Sequence, residues 1–533
     1  MYTYLLVPGR HHLLSNFMHD YFLQASNNRS IELIDGSQAE FDESICMVWA
    51  ITSANHQNTR RNPLAGYRRE AAVDEFMADL PCQYLTYHIN DIGQSNRFAD
   101  YIIKSIEVES RGSTLLTPDN TIVATSTPSV IELFETLGYK IAPIELSSRQ
   151  PEQYRAARAW DILLELVAAG NNWRDSESYI QQMHPSSQRL LDRYKLAEQI
   201  IELHNDPLVG DEGDITETRD YEKYRQSFDT GAERKYAILG PHIRPGRIID
   251  IGCATGSLLK QIDNDDRFRE SDLYGIEVAK PLYDRCLQRL ANGEFRNENT
   301  FFYQRNIMRG KLFPDNSVNT SISISLTHEI DSYLGRDSLH KFISQIFQQT
   351  APGGVYINLD VTCPENPDEK VVIWLNHLDG QDADDQEYAI DRQTDYSEYL
   401  GKLSTLGLFK RFIKDFRKTE GDQIKDYELF EKDEQYFARL RRADAVEFMV
   451  TKDYQDSWYS EMHERFCYWP PSEWQRQLEA VGFSVDPASG AFQNDWINQN
   501  RFEGKLKLFI EIDGQLVPQD WPDTSVLMVA RKP

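Results

Sequence analysis

The segment GRIIDIGCATGSLLKQI, residues 246–262, constrains the fold more than any other part of the chain. A run of strand-forming residues contains an acid, Asp250, and then small residues at alternate positions, Gly252, Ala254 and Gly256. A helical pattern follows directly. Small residues at the end of a buried strand let a ligand approach the main chain, and the next helix offers it backbone donors. The segment therefore predicts a strand, a ligand-binding turn and a helix.

Four further strand-like runs follow before residue 360, separated by helical patterns, at spacings of about 20 to 30 residues. This spacing predicts a doubly wound parallel sheet. The second run, DLYGIEVA, ends near Glu277, where an acid can accept hydrogen bonds from ribose hydroxyls. A dinucleotide would place its pyrophosphate at the same glycine turn. The acid Asp250 beside the turn favours a cationic ligand instead.

The motif DIGCATG resembles the first motif of the class I S-adenosylmethionine-dependent methyltransferases, with Ala254 in place of the middle glycine. RNIMRGKLFPDNSVN, residues 305–319, resembles the approach to the fourth strand of that family, with Asn306 where an Asp is common. QQTAPGGVYINLD, residues 348–360, resembles its turn into the fifth strand. The resemblance covers about residues 220–360 and, with the terminal strands, most of the C-terminal half.

The resemblance implies S-adenosyl-L-methionine as the cofactor. The glycine turn would hold its methionine part, Glu277 its ribose, and Asn306 with Ile307 its adenine edge. Two structural alternatives stay open, since Asp250 would also suit a cap of the turn and Ile307 a place in the core. The residues assigned to the cofactor are Asp250, Gly252, Cys253, Ala254, Gly256, Glu277, Asn306, Ile307 and Leu326.

A methyl acceptor is expected at the carboxyl ends of the strands, where open α/β sheets bind ligands. The fourth strand ends in SLTHEIDSYLG, which places His328, Glu329 and Tyr333 near the donor. Methyl transfer requires alignment of the acceptor and, for a hydroxyl or protonated amine, removal of one proton. We expect His328 or Glu329 to be the base. A role for His328 in packing or in binding the cofactor remains an equal alternative.

Residues 361–460 are polar and are predicted to form a mainly helical insertion that covers the acceptor mouth. Two aromatic segments then follow, at residues 458–474 and 494–504. We expect an acceptor pocket from them, and a packed core between insertion and sheet is the alternative. The substrate residues predicted here, with Tyr333, are Trp469, Trp496 and Arg501.

The first part of the chain also alternates strand and helix patterns, which predicts a second parallel α/β domain. CMVWAITSANHQNTRRNPLAGYRREAAVDEFM, residues 46–77, resembles the nicotinamide-nucleotide adenylyltransferase family. TIVATSTPSVIELFETLGYKI, residues 121–141, resembles a later stretch of it, so the resemblance covers about residues 1–190. The best matching residues are Ser53, Ala54, Asn62, Pro63, Gly66 and Arg68.

The catalytic motifs of that family are not present. Ser15 and Met18 stand where the family has two phosphate-binding histidines, and its later phosphate segment is best matched by RAWDIL, without the donors. A phosphate site without donors does not catalyse adenylyl transfer. We therefore expect a non-catalytic module that binds a nucleotide-like ligand or a partner, or that acts as a scaffold. The nearby histidines are out of register: His11, His12 and His19.

The charge, the cysteine spacing and the apolar runs limit the kinds of partner and binding site that the chain is expected to have. The net charge of −27, from 84 acidic and 57 basic residues, disfavours nucleic acid. The six cysteines form no CxxC pair, so we assign neither a zinc site nor a disulfide framework, and no metal-binding residue. The chain has no apolar run of about 18 residues and no basic leader, so we expect a cytoplasmic protein without a membrane segment. The oligomeric state is left open.

The predicted fold class is thus α/β, with two doubly wound Rossmann-like domains, the second a class I methyltransferase sheet with a helical insertion. We expect a methyltransferase acting on a small-molecule or nucleotide-like acceptor. A bifunctional adenylyltransferase and methyltransferase, and a non-enzymatic cofactor sensor or scaffold, remain alternatives. The predicted segments are 1–190 (nucleotidyltransferase-like domain), 191–220 (helix and acidic linker), 221–360 (methyltransferase core), 361–460 (insertion) and 461–533 (end of the sheet and acceptor pocket).

Overall fold

The computed structural model describes residues 1–93, 95–149, 152–176, 181–206, 210, 231–384 and 393–533. The chain divides into two compact units, Met1–Gly213 and Asp214–Pro533. Both are mixed α/β structures with a parallel sheet, which confirms the predicted fold class at that level. Most of the predicted acidic linker lies outside the described residues. Among the described residues, no helix has both the length and the apolar character needed to cross a membrane.

The first unit is built on a parallel sheet with the strand order β4-β3-β1-β5-β6. A short strand, β2, pairs antiparallel with the beginning of β3, and β7 and β8 form a separate pair. The strands are β1 Tyr2–Gly9, β2 Ser30–Glu32, β3 Gln38–Thr52, β4 Gln83–Ile89, β5 Thr121–Ala124, β6 Lys140–Ala142, β7 Leu146–Arg149 and β8 Glu152–Tyr154. The helices are Asn16–Asn28, Gly66–Met77, Phe98–Glu109, Pro128–Thr136, Ala159–Ala169, Gly170–Asp175 (3₁₀), Pro185–Tyr194 and Leu196–His204.

Both faces of this sheet are buried. Leu5 of β1 belongs to one apolar cluster, and its neighbour Leu6 belongs to a second cluster. Trp49 and Val48 of β3 divide between the same two clusters. Because successive strand residues point to opposite faces, helices cover both sides of the sheet, and this explains the continuous apolar runs in the sequence.

The second unit contains a larger sheet and a separate antiparallel sheet. Its strands are β9 Arg247–Ile251, β10 Asp272–Glu277, β11 Thr300–Gln304, β12 Val318–Ile324, β13 Thr350–Val361, β14 Lys370–Leu375, β15 Tyr427–Lys432, β16 Gln435–Arg441, β17 Ser484–Val485, β18 Gly490–Phe492, β19 Leu506–Ile512, β20 Gln515–Gln519 and β21 Ser525–Arg531.

Helices and short turns of helix connect these strands. They are 231–239, Gly240–His242 (3₁₀), Ser257–Asn264, Asp266–Phe268 (3₁₀), Lys280–Ala291, Ile307–Arg309 (3₁₀), Thr327–Glu329, Ile330–Leu334 (π), Arg336–Gln349, Gln393–Leu400, Thr405–Asp415, Arg442–Thr451, Gln455–Ser457 (3₁₀), Trp458–Glu461, Pro471–Val481, Asp495–Ile497 and Asn498–Phe502 (π).

The larger sheet has the order β11-β10-β9-β12-β13-β21-β17, and β18 pairs with β21. The strands from β9 to β13 run parallel, and β21 pairs antiparallel with β13. From β9 the chain first moves to β10 and β11 on one side and then returns to β12 on the other. This reversal creates a crevice at the carboxyl ends of β9 and β12, where open α/β sheets bind their ligands. The glycine turn follows β9 and therefore lies at the crevice.

The prediction of a mainly helical insertion describes only part of the segment 361–460, which contains the helices Gln393–Leu400, Thr405–Asp415 and Arg442–Thr451 but also strands. The segment 361–460 contributes three strands, β14, β15 and β16, to an antiparallel sheet of order β15-β16-β14-β19-β20. The predicted sheet strand KLKLFIEI also pairs with β14 and β20 instead of the methyltransferase sheet. The antiparallel sheet packs on its own apolar cluster, which is distinct from the clusters of the larger sheet.

The turns of this second sheet explain part of the error. Asp433 and Glu434 form the two-residue turn between β15 and β16, both with positive φ, 52° and 58°. Such hairpins normally carry Asn-Gly or Asp-Gly, so the sequence gives little signal here. The turn between β19 and β20 does carry that signal, Asp513-Gly514.

Gly275, in the middle of β10, lies directly beneath the glycine turn. A Cβ atom at this position would lie 2.4 Å from Phe302 Cδ1 and 2.8 Å from Cys253 Sγ. We expect Gly275→Ala to lower the free energy of unfolding by about 1 to 3 kcal/mol, because the packed ring and thiol must shift. Urea unfolding measures this loss.

Gly490→Ala is the matched control, since Gly490 also lies in a strand but a Cβ atom there would meet nothing within 4 Å. We expect its effect to stay within about 0.5 kcal/mol. Equal losses in the two variants would contradict the role of close packing under the turn.

Candidate active site

The glycine turn is fixed by main-chain bonds. The amides of Gly252 and Cys253 both donate to the carbonyl of Ile276, at 2.8 and 3.0 Å. Gly252, Ala254 and Gly256 adopt left-handed conformations, with φ of 71°, 48° and 73°. This conformation costs an alanine roughly 1 to 2 kcal/mol, so Ala254 is a strained replacement for glycine. The turn keeps its shape although its middle residue has a side chain.

Gly252 is the only partly exposed residue between Ile251 and Ser257, where the chain is fully described. A Cβ atom on Gly252 would lie 3.4 Å from a methyl group of Leu326. The turn thus opens to the surface at Gly252, next to a residue that follows β12. Two of the predicted cofactor residues, Gly252 and Leu326, are therefore neighbours.

Glu277 connects the end of β10 to the glycine turn. Its carboxylate accepts hydrogen bonds from the amides of Ala254 at 2.9 Å, Val278 at 2.8 Å and Ala279 at 2.8 Å. Burial raises the pKa of Glu277 to about 7, against the lowering effect of these bonds. Its predicted contact with a ribose stays a prediction. What the structure adds is that Glu277 positions the turn itself.

Asp250 is buried on the face of the sheet that also contains Ile248. Burial raises its pKa to about 7, and the nearby Lys235 acts in the opposite direction. Lys235 comes from the helical residues 231–239. Because the turn amides bond to Ile276 and Glu277, capping the turn is not the main role of Asp250.

The other predicted cofactor residues take part in local structure. The side chain of Asn306 accepts a hydrogen bond from the amide of Met308 at 2.9 Å and so caps a short 3₁₀ turn. Ile307 is 8% exposed and belongs to the apolar cluster of the sheet. Cys253 is buried below the turn, and burial raises the pKa of its thiol. Contacts of these three residues with an adenine or a methionine remain predictions.

Asp360, which was not among the predicted site residues, organises the ends of β12 and β13. Its carboxylate accepts hydrogen bonds from the Thr327 amide at 2.8 Å, the Thr327 hydroxyl at 2.6 Å and the His328 amide at 3.1 Å. It also lies 2.7 Å from His328 Nδ1. The sequence does contain a feature that would have identified it. Asp360 is the last residue of GGVYINLD, so it is an acid at the carboxyl end of a strand adjacent to β12.

The structure contradicts the role of His328 as a free general base. Its Nδ1 faces Asp360, and its Nε2 lies 3.3 Å from Glu464 Oε2. Burial by itself lowers the pKa of this imidazole, but the two carboxylates outweigh it and raise the pKa well above its usual range. Both nitrogens of the ring therefore face carboxylates. A base needs an unprotonated nitrogen that faces the acceptor.

Three of the predicted acceptor-site residues do lie together. One carboxylate oxygen of Glu329 lies within 4.8 Å of His328 Nε2 and of Glu464. The hydroxyl of Tyr333 donates to Glu464 Oε1 at 3.0 Å. Glu464 was not predicted, because it is remote from His328 in sequence and lies within the segment 458–474, which was interpreted only as aromatic. Tyr333 belongs to a π-helical turn, a form frequent at functional sites.

The prediction of Trp469 as a substrate residue is wrong. Its side chain is 1% exposed and lies in the core cluster of the larger sheet. Its ring centroid is 4.9 Å from that of Trp474 and 5.4 Å from that of His340. Trp469 therefore packs the core, which is the alternative that the aromatic density left open.

Trp496 and Arg501 lie closer to the mouth. Trp496 is 51% exposed, and the Arg501 guanidinium lies 5.7 Å from its ring and 4.4 Å from the ring of Tyr454. Tyr454 contacts Phe466 at a centroid distance of 6.0 Å, and Phe466 contacts His328 at 5.0 Å. A continuous row of side chains thus connects Arg501 to His328. Contact of this row with a substrate remains a prediction.

The histidines of the first unit are packed side chains. His11 has a ring nitrogen 3.1 Å from the carbonyl oxygen of Val7, and burial lowers its pKa to about 4. His19 stacks on His184 at a centroid distance of 4.8 Å. Burial, followed by the charge of Arg69, lowers the pKa of His12 well below its ordinary value. The rings of His11 and His12 are therefore neutral at physiological pH.

Arg69 is the residue of the first unit that sequence reasoning missed. It is fully buried and donates to the carbonyls of Arg10 at 3.0 Å, Thr52 at 2.7 Å and Ser53 at 2.8 Å. It therefore connects the loops after β1 and β3. The predicted Arg68 instead lies 3.5 Å above the ring of Tyr194.

A family model described as a methyltransferase domain matches residues 249–358, from within β9 to within β13. This part of the chain therefore resembles a methyltransferase domain. The match supports the methyltransferase part of the sequence interpretation. S-adenosyl-L-methionine as its cofactor, and the nucleotidyltransferase-like character of the first unit, stay predictions. No curated protein matches the chain.

Solved methyltransferases resemble the chain only weakly. A putative methyltransferase from Bacillus halodurans is 12% identical, with 56% of this chain and 97% of that one covered, at a TM-score of 0.29. A geranyl diphosphate C-methyltransferase from Streptomyces coelicolor is 11% identical, with 62% and 90% covered, at 0.30. A methyltransferase from Methanosarcina mazei is 12% identical, with 56% and 97% covered, at 0.29. With TM-scores this low, no acceptor is transferred from them to this chain.

The raised pKa of Asp250 predicts a pH dependence of stability. Its ordinary value is 3.8 and its folded value is about 7, so between these values the unfolded chain has lost a proton that the folded chain keeps. The free energy of unfolding therefore falls as the pH rises across this range and then levels off. We expect Asp250→Asn to flatten this decline, as measured by urea unfolding across the same range.

Asp523→Asn removes one exposed carboxyl group and serves as the control, because it should leave the decline unchanged. A decline as steep in Asp250→Asn as in the wild type would show that Asp250 is ionised in the folded protein.

Proposed function

We propose that the chain is a methyltransferase that transfers the methyl group of S-adenosyl-L-methionine to a small-molecule or nucleotide-like acceptor. The observation that carries this proposal is the turn Gly252–Gly256, held by Glu277 at the point where the sheet reverses its strand order. Gly252 is the partly exposed residue of the turn, so a donor can approach the main chain there. The methyltransferase-domain match over residues 249–358 supports the same reaction class.

The residues of the turn fit this cofactor. S-adenosyl-L-methionine, when bound, supplies the methyl group as part of a sulfonium cation. Gly252 has no side chain that would cover the main chain, and Glu277 and Asp250 are buried acids on neighbouring strands. Burial raises the pKa of both acids to about 7, and a cation bound beside them would favour their ionised forms. The carboxylate of Glu277 suits a ribose hydroxyl as well. These residues bind and orient the donor.

The acceptor is proposed to lie beyond β12, beside His328, Glu329 and Tyr333. Since both nitrogens of His328 face carboxylates, Glu329, which is partly exposed, is the remaining candidate for the group that accepts the acceptor proton. Phe466 packs against the His328 ring and limits the access of water on that side. The contribution of these residues is alignment and the removal of one proton.

The first unit is proposed to be a non-catalytic, nucleotidyltransferase-like module. Its parallel order β4-β3-β1-β5-β6 and its two buried faces support a doubly wound fold like that proposed for the methyltransferase sheet. The packed, neutral state of His11 and the use of Arg69 to bind main-chain carbonyls support the absence of catalysis. Whether the module binds a nucleotide-like ligand or a partner is left to experiment.

The first test is calorimetric titration with S-adenosyl-L-methionine. We expect the wild type to bind and Gly252→Arg to lose binding, because a long cationic side chain would fill the approach to the turn. Gly353→Arg is the matched control, since Gly353 has a similar φ of 76° against 71° and open space around it, at the opposite end of β13. Absence of binding by the wild type, or loss of binding in both variants, would contradict the proposed site.

The second test is transfer of a labelled methyl group into a metabolite extract, followed by mass spectrometry of the product. We expect a labelled small molecule with the wild type and at least a tenfold lower rate with Glu329→Gln, the loss that removal of a general base produces. Binding of the donor without any labelled product would favour a cofactor sensor. Release of pyrophosphate from ATP and nicotinamide mononucleotide would overturn the assignment of the first unit as non-catalytic.

A further inference from the structure

A second group of ligand-type atoms lies beside the proposed donor site. Nε2 of His328 and one carboxylate oxygen from each of Glu329 and Glu464 lie within 4.8 Å of one another. One of these separations, between His328 Nε2 and Glu464 Oε2, is 3.3 Å. Protein nitrogen and oxygen ligands bind transition ions at about 2.0 to 2.2 Å. Atoms this close to one another can therefore share one ion.

The groups around this cluster are arranged as they are around metal ligands. Asp360 Oδ1 lies 2.7 Å from His328 Nδ1, so the ring presents Nε2 to the cluster. A carboxylate on the far nitrogen is the usual support of a metal-binding histidine. Asp360 is itself fixed by the amide and hydroxyl of Thr327. The histidine is thus oriented by a residue that is not part of the cluster.

Glu464 is supported in the same way. The hydroxyl of Tyr333 donates to its Oε1 at 3.0 Å, while its Oε2 is the atom close to His328. One carboxylate oxygen is therefore positioned by a hydrogen bond and the other is directed into the cluster. The side chains of His328 and Glu464 are 6% and 2% exposed. These two ligands are enclosed and held before any ion arrives.

We propose that His328, Glu329 and Glu464 bind one divalent first-row transition ion. With the ion bound, Glu329 acts as a ligand instead of a base, and Nε2 of His328 binds the ion without a proton. One imidazole nitrogen with two carboxylate oxygens is a donor set for Mn²⁺, Fe²⁺ or Zn²⁺. Mg²⁺ and Ca²⁺ prefer ligands that are all oxygen. Three protein ligands leave coordination positions open, which is the pattern of catalytic sites and not of structural ones.

The coordination positions that the protein leaves open determine which class of molecule would bind to the ion. The cluster lies directly after β12, next to Leu326, whose side chain contacts the glycine turn at Gly252. An oxygen of the acceptor, from a hydroxyl or a carboxylate, fits an open position and would be fixed close to the methyl donor. This use of the ion rests on the proposed function, whereas the binding of the ion does not.

The test is metal binding by the full chain. The protein is stripped with a chelator, incubated separately with Mn²⁺, Fe²⁺ under anaerobic conditions, Zn²⁺ and Mg²⁺, freed of unbound metal, and measured by inductively coupled plasma mass spectrometry. We expect about one equivalent of at least one transition ion and no retained Mg²⁺. Co²⁺ provides a second readout, because its visible absorption reports nitrogen and oxygen ligands.

Variants assign the ion to this cluster. We expect Glu329→Gln and Glu464→Gln to lower the affinity by about 10- to 100-fold or more, and Tyr333→Phe to lower it less. Glu420→Gln is the control, because Glu420 pairs with His463 at 2.6 Å in a similar but more exposed histidine–carboxylate contact. Circular dichroism verifies that each variant is folded.

Two results would overturn the proposal: no transition ion retained by the wild type, or equal retention by Glu329→Gln, Glu464→Gln and Glu420→Gln. In either case the cluster is a histidine held between two carboxylates without a metal. Calorimetry of the stripped protein with S-adenosyl-L-methionine separates this failure from that of the proposed function. Donor binding without metal binding contradicts only the ion, and metal binding without donor binding contradicts only the methyltransferase.

Discussion

The interaction on which the site depends is the bonding of a buried carboxylate, that of Glu277, to main-chain amides on both sides of it. One carboxylate oxygen accepts hydrogen bonds from the amides of Val278 and Ala279 at the end of β10. The other oxygen accepts a hydrogen bond from the amide of Ala254 in the turn after β9. Two neighbouring strands are thereby tied together at the edge where a ligand would bind. Removing one partner of such a buried bond leaves the other unsatisfied, at a cost of about 1 to 3 kcal/mol per group.

The same device recurs along the carboxyl edge of the sheet. Asp360 joins the end of β13 to the turn after β12 through Thr327 and His328. Glu447 accepts hydrogen bonds from the amides of Phe466 and Cys467, both at 2.8 Å, in the segment that approaches His328. Three segments at this edge are therefore held by enclosed acids, and the enclosure raises the pKa values of Glu277 and Glu447 to about 7.

Patterns that are local in sequence predicted the structure well. The alternation of apolar runs and helical patterns located the parallel strands of both units, and the glycine turn lies after β9 as expected. The turn keeps its shape with Ala254 at its middle position, although the φ of 48° shows that this residue carries strain. These features depend on neighbouring residues, and one sequence is enough to reveal them.

Features that depend on distant pairing were missed. Asp360 and Glu464 reach His328 only after β13 and the segment beyond the insertion have folded back, so no spacing in the chain connects them. Trp469 was misassigned because an aromatic in a dense segment has the same composition in a core as in a pocket. The strands of the insertion were overlooked because their exposed residues are charged and one turn, Asp433-Glu434, lacks the usual glycine.

The pairing of β13 with β21 has a consequence for how the second unit assembles. These two strands enclose all five strands of the antiparallel sheet between them in the chain. Closing so long a loop from an unfolded segment carries a high entropic cost, and the cost falls once the enclosed segment is compact. We infer that the antiparallel sheet folds before β21 adds to the parallel one.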